Sequence, residues 1–314
     1  MSCPPQSKAV LPLSFYLQVI LCAVLWGSAF PVIKNSYTHL NIESYGEQLV
    51  FAGSRFALAG LLLLPLCRGT FVAKIRKAPS LPLLGIVLGQ TYLQYIFFYY
   101  GLSISSGALG ALLVGSGSFW WMLLAPLMLK TPAPTKRHWL LLIGCCVGII
   151  FAVYTPGKDM ANAKIGSIAF LLATLSGAIA AIFMKRIAPV AGSLIPTSFS
   201  LGFGGLLLLL TATSSWSAYI SHFNWSTFWV TLYLAIVSAA GFAIWNRLIQ
   251  IYSVNTLSSF RFLIPLMGVI ESVLFIPGER IHSGLLIGGI IIFSCLIGAA
   301  KIKEAPVEER YVRA

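Results

Sequence analysis

The chain has 314 residues, of which 58% are apolar and 9% charged, with a mean hydropathy of +0.89. A soluble domain carries about 25% charged residues, so this composition excludes a water-facing surface and makes lipid the expected solvent. The net charge of +13 would suit nucleic acid, but the basic residues are spread over the ends of apolar stretches, and no nucleic-acid partner is expected.

A helix needs about 20 apolar residues to cross the hydrocarbon core. Stretches of that kind fall near 13–34, 48–67, 81–101, 107–129, 138–155, 165–185, 194–213, 228–248, 254–276 and 283–302. The first resembles a signal peptide in position only. It is about 20 residues long, and Trp26 and Phe30 stand where small cleavage-site residues belong, so it reads as a retained helix. The predicted fold class is an all-α integral membrane protein with ten transmembrane helices. A cytoplasmic tail (1–12) precedes a first five-helix repeat (13–157), a second repeat (158–302) and a cytoplasmic tail (303–314). Lys8, Arg68, Lys74, Arg76, Lys77, Lys130, Lys136, Arg137, Lys185, Arg186, Arg247, Lys301, Lys303, Arg310 and Arg313 then share one side, against Lys34, Lys158, Lys164 and Arg280 on the other. By the positive-inside rule the first side, with both termini, is cytoplasmic. The protein is expected in the cell (plasma or inner) membrane.

The second half echoes the first. Leu25-Trp26-Gly27-Ser28-Ala29 returns as Leu175-Ser176-Gly177-Ala178-Ile179 at an offset of 150. At the same offset Gly144 and Gly148 face Ser294 and Gly298, small-xxx-small patterns that let helices approach closely in lipid. Ser105-Ser106-Gly107 aligns with Ser253-Val254-Asn255 at 148. Five spans per half is odd, so the copies enter the membrane from opposite sides, as in transporters that work around a midplane site. The copies are unequal: Arg261, Pro265, Glu271 and Glu279 have no charged or proline counterpart at offset 148.

Charges inside spans are costly and mark function or structural pairing. Arg55 and Glu271 lie roughly 10 Å and 8 Å below the outer ends of their spans at 1.5 Å per residue, so they are expected to pair or to line one vestibule. Arg261 lies near the cytoplasmic end of the ninth span, placed to draw in a carboxylate or phosphate. The third span carries Gln90, Gln94, Tyr95 and Tyr99; Trp26, Trp120, Trp245 and Asn246 add aromatic and amide character. Buried amides in lipid need partners or a wet cavity. The expected substrate-binding set is therefore Trp26, Gln90, Gln94, Tyr95, Tyr99, Trp120, Trp245, Asn246 and Arg261. Plain helix packing is the competing explanation for each. Arg55, Glu271 and the kinking Pro265 are the coupling or gating candidates, with proton coupling through Glu271 an open reading.

His39, His138, His222 and His282 lie at span ends or in loops, an interfacial rather than catalytic placement. No H-E-x-x-H helix is present, and no histidine lies mid-membrane beside the serines of Gly115-Ser116-Gly117-Ser118. The six cysteines, mostly inside spans, form neither a disulfide framework nor a metal set. No catalytic residue, cofactor or metal is expected.

Leu25-Trp26-Gly27-Ser28-Ala29-Phe30-Pro31-Val32-Ile33-Lys34 resembles the first-helix signature of EamA-type members of the drug/metabolite transporter superfamily. Ser258-Ser259-Phe260-Arg261-Phe262-Leu263-Ile264-Pro265-Leu266, followed by Gly278-Glu279-Arg280-Ile281, resembles that family's small-polar, Pro, then Gly-Glu-Arg pattern. The resemblance implies two inverted five-helix repeats around a central cavity, with export or exchange of small metabolites. Gly117 departs from it where the first repeat often carries proline, and Lys130-Thr131 replaces Gly-Glu. The expected partners are a small-molecule solute and the bilayer. The expected function is alternating-access export of small metabolites such as amino acids or related amphipathic solutes. An exchanger of phosphorylated or other anionic metabolites, or an intramembrane enzyme, is the alternative.

Overall fold

Backbone N–H and C=O groups in lipid must pair within the chain. The computed structural model meets this with helices alone: it describes residues 11–67, 70–129, 133–153, 160–252, 257, 260–261 and 263–300, and no strand occurs among them. In chain order the longer helices are α1 Leu13–His39, α2 Tyr45–Leu63, α3 Ser80–Ile104, α4 Gly107–Leu129, α5 Lys136–Val153, α6 Met160–Ala191, α7 Leu194–Thr211, α8 Trp225–Ile251, α9 Leu263–Phe275 and α10 Ser283–Ala300. Among them α1, α2 with its 3-10 extension to Cys67, α3, α4, α6, α7 and α8 give the 7 helices long and apolar enough to cross a membrane; Leu263–Phe275 and Ser283–Gly298 are shorter apolar helices.

The helix count differs from the ten expected, because two short helices, Phe71–Lys77 and Trp216–Ser221, occupy connections read as loops. The first keeps Lys74, Arg76 and Lys77 exposed, so its apolar residues are too few to announce a span. The motif positions Ser258, Ser259 and Phe262, the junction Ser253, Val254 and Asn255, and Arg68, Lys130, Thr131, Lys158 and residues 1–10 and 301–314 lie outside the described residues.

Local chemistry sets several boundaries. Ser44 accepts from Glu47 N while Glu47 returns a bond to Ser44 N, a full capping box that opens α2. Asn224 and Thr227 do the same for α8, and Ser106 caps α4. Gly192 at φ +73° lets the chain turn sharply out of α6.

Lipid gives no hydrophobic drive between helices, so close backbone approach carries the packing. Gly53 and Gly60 of α2 lie against the backbone of Gly205 and Gly202 of α7, and Ser198 Oγ donates to Gly60 O at 2.8 Å across that seam. Gly148 of α5 meets Gly288 of α10, while Gly144 fits the Cys295 side chain. The remaining major contacts join α1 to α8 and α9, α2 to α8, α3 to α6 and α7, and α4 to α6 and α9. Leu61, Leu127, Leu140, Ile150, Leu210 and Leu274 point outward and are largely exposed, as a lipid-facing surface requires.

Candidate functional site

A cavity of about 120 Å³ opens where α1, α2, α3, α4, α6, α8 and the start of α9 converge. At about 30 Å³ per liquid water it holds a few waters, or a small organic solute. Trp26, Arg55, Gln90, Gln94, Tyr95, Trp245, Asn246, Arg261 and Pro265 all line it, so most of the residues singled out from sequence meet at one place. Its floor and walls also use Phe30, Phe98, Thr174, Ser238 and Phe242, which sequence reading missed. Phenylalanine and small hydroxyl residues are common in any membrane helix and give no signal of their own.

A wide turn in α3 shapes the site. Val87–Tyr92 is π-helical, a form that places one extra residue per turn and recurs at functional sites. It buries Gln90 and Thr91 against α7 and α8. Asn246 Nδ2 donates to Gln90 Oε1 at 2.9 Å and to Thr197 Oγ1 at 2.8 Å; Gln90 Nε2 donates to Ser200 Oγ at 3.3 Å; Ser200 Oγ donates to Ile86 O at 3.1 Å. These bonds satisfy much of the polar capacity of Gln90 and Asn246, which therefore frame the cavity as well as facing it. Gln94, one turn on, projects toward α6, where Gly177 leaves the room: a Cβ there would stand 2.5 Å from Gln94 Oε1.

Aromatic rings form the apolar side. Trp26 meets Phe242 and Trp245 edge-on at 5.2 and 5.7 Å, and Gly241 clears space for its indole. Arg55 is 2% exposed, with its guanidinium 4.3 Å from the Phe56 ring, 5.2 Å from Tyr95 and 5.4 Å from Tyr99. Its Nε and Nη1 have no hydrogen-bond partner.

Tyr99, Trp120 and Glu271 are not among the residues lining the cavity. Tyr99 is fully buried and packs against Arg55 instead of the solute space. Trp120 lies in the second segment of α4, beyond the break at Gly115 and Ser116, half-buried. Glu271 faces α1, where a Cβ on Gly27 would stand 2.7 Å from Oε1. The expected Arg55–Glu271 pair is not made: Glu271 Oε1, like Arg55 Nε and Nη1, is buried without a partner. Similar depth on two helices did not put the two side chains on facing sides.

The EamA-like transporter family matches the chain over residues 13–154 and again over 164–300. The chain belongs to that family. It is 25% identical over 309 residues to a protein of Bacillus subtilis (strain 168) named as the uncharacterized transporter YvbV, covering 93% of this chain and 92% of the relative. A solved crystal structure, 17% identical, superposes with a TM-score of 0.54 over 88% of this chain and 96% of that chain, a likeness of fold. As an EamA-like transporter the chain is a multi-pass membrane protein, and its family points to transport.

Two consecutive residues on α1 and two on α6 make matching bonds in this EamA-like chain. Lys34 Nζ donates to Leu102 O at 2.6 Å and Ser105 O at 2.8 Å, closing the C-terminal end of α3; Lys185 Nζ donates to Ile249 O at 2.8 Å and Tyr252 O at 3.0 Å, closing that of α8. Asn35 Nδ2 donates to Phe275 O at 2.9 Å at the end of α9, and Arg186 Nη2 donates to Met128 O near the end of α4. Cations at helix C-termini satisfy orphan carbonyls and complement the dipole. Glu279 accepts from Gly107 N at 3.2 Å and from Ala108 N, the opposite arrangement at the start of α4. The signal was present in sequence: Lys34 recurs as Lys185 at 151, one residue off the repeat offset. His138 and His282 act at helix starts, their Nδ1 atoms accepting from Thr135 N and Leu285 N at 3.1 Å.

Proposed function

We propose that this transporter exports small amphipathic solutes, such as amino acids and their relatives, by alternating access of two inverted five-helix halves. The observation that carries the reading is one cavity lined from both halves by aromatic rings together with amide and hydroxyl groups. The two successive family matches support a duplicated chain. So does the packing: exchanging α1–α5 with α6–α10 turns the α1–α9 contact into α6–α4, α1–α8 into α6–α3, and α2–α8 into α7–α3. The ten-span count and cytoplasmic placement of both termini belong to the same proposal.

In this mechanism the solute enters from the cytoplasm and lays its apolar part on Trp26, Tyr95 and Trp245. Its polar part meets Gln94, Ser238 and Asn246. Rocking of the halves about this point then opens the other face. The test is counterflow in liposomes holding the purified chain and loaded in turn with a panel of amino acids. Saturable counterflow of at least one solute is expected, with a several-fold higher KM in Trp245→Ala; linear, unsaturable flux, or product formation without transport, overturns the reading.

A further inference from the structure

We propose that the occupant of the central cavity is a small organic anion, its carboxylate or phosphoryl group received by Arg55, with Arg261 a second cation on the same cavity. The proposal rests on the reading of this cavity as the transport site. Two arginines line it, and no aspartate or glutamate does so among the described residues. The carboxylate of Glu271 lies against Gly27 of α1 and does not line the cavity.

Arg55 is almost wholly buried, yet Nε and Nη1 donate to nothing. The rings of Phe56, Tyr95 and Tyr99 hold the cation by their faces, an attraction that leaves guanidinium N–H donors unused. A buried guanidinium with two N–H donors unused is costly. A guanidinium fixed in place by aromatic packing holds its charge at the cavity, where a carboxylate or phosphate can meet it with a charge-assisted bond. The missing negative charge is supplied by what enters the cavity. At Arg261, Gly117 makes room: a Cβ there would stand 2.5 Å from Nη2 and 3.2 Å from Cζ. That accounts for glycine where proline would otherwise fit the pattern. Trp26, Phe30 and Trp245 on the same wall give the anion an apolar body to match.

The test uses the purified full chain in neutral detergent and titrates four probes of one shape by tryptophan fluorescence. Phenylacetate and phenyl phosphate are anions, phenylacetamide is neutral and phenethylamine is a cation. At least one anion is expected to bind about tenfold or more tighter than phenylacetamide, the gain typical of a charge-assisted bond. Arg55→Gln is expected to abolish that gain, and Arg55→Lys to retain part of it. The ratio of the two anions tells carboxylate from phosphoryl. Equal binding of phenylacetamide and the anions, tighter binding of phenethylamine, or no binding of any probe overturns the proposal. The comparison on the unaltered chain decides the matter even where Arg55→Gln does not fold. Trp245→Ala separates the two levels: if it weakens phenylacetamide while no anion preference exists, the cavity reading stands and only the charge of the solute is refuted. If it leaves all binding unchanged, both fall.

Discussion

Glu271 is 8% exposed and its Oε1 has no hydrogen-bond partner. An ionised carboxylate at helix depth in a bilayer costs about 2.5–3.5 kcal/mol on insertion scales. A group kept at that cost without a partner is the natural candidate for carrying a proton. Glu271→Gln is expected to fold normally, because the amide fills the same space beside Gly27, and to make counterflow in liposomes independent of pH. A variant with the full pH dependence of the unaltered chain rules out that role. The residue scale is also where sequence reading was both strongest and most limited. Buried amides and arginines stand out in a chain this apolar, which is why Gln90, Gln94, Asn246, Arg55 and Arg261 were singled out. Their partners were not legible: Gln90 meets Asn246 across 156 positions, and nothing in the spacing of Arg55 and Glu271 told that they face different neighbours.

At the scale of elements, the matched bonds of Lys34 with α3 and Lys185 with α8 are latches at opposite ends of the bundle in the proposed topology. A hydrogen bond to a charged group contributes about 1.5–3 kcal/mol, enough to move a balanced two-state equilibrium roughly tenfold or more. Lys34→Gln is therefore expected to favour the outward-open form and Lys185→Gln the inward-open form. A cysteine at the cavity residue Ser238 reports this: its labelling by an impermeant maleimide from outside should quicken in the first variant and slow in the second. Changes of the same sign in both refute the latch assignment. The latches escaped sequence reading because a lysine at a span end already has a sufficient explanation in the positive-inside rule, and Lys34 was counted there as an ordinary outer charge. The π-helical turn of α3 had no sequence signal at all, since Val87–Tyr92 satisfies the helical pattern equally well in either form.

Across the whole molecule, composition and hydropathy placed nearly every helix, because a lipid-facing rod must be apolar along its length. The misplacements among the described residues fall where that rule lapses, in the short helices of the connections. The proposed inversion has a direct consequence for topology. In a chain whose own cysteines are replaced by serine, Ser103→Cys at the end of α3 should react with an impermeant reagent on intact cells. Gln250→Cys at the end of α8 should react only after permeabilisation. Reaction of both from the same side refutes the inversion.

The wide turn at Val87–Tyr92 also makes α3 adjustable without being broken. Each residue of an α-helix advances it by about 100°, so tightening that turn to ordinary α-geometry would swivel everything beyond it by about that angle. The backbone would merely exchange one ladder of carbonyl acceptors for the next. The rings of Tyr95 and Tyr99 would then leave the guanidinium of Arg55, and the grip on a charged guest would be released by torsion of a single rod.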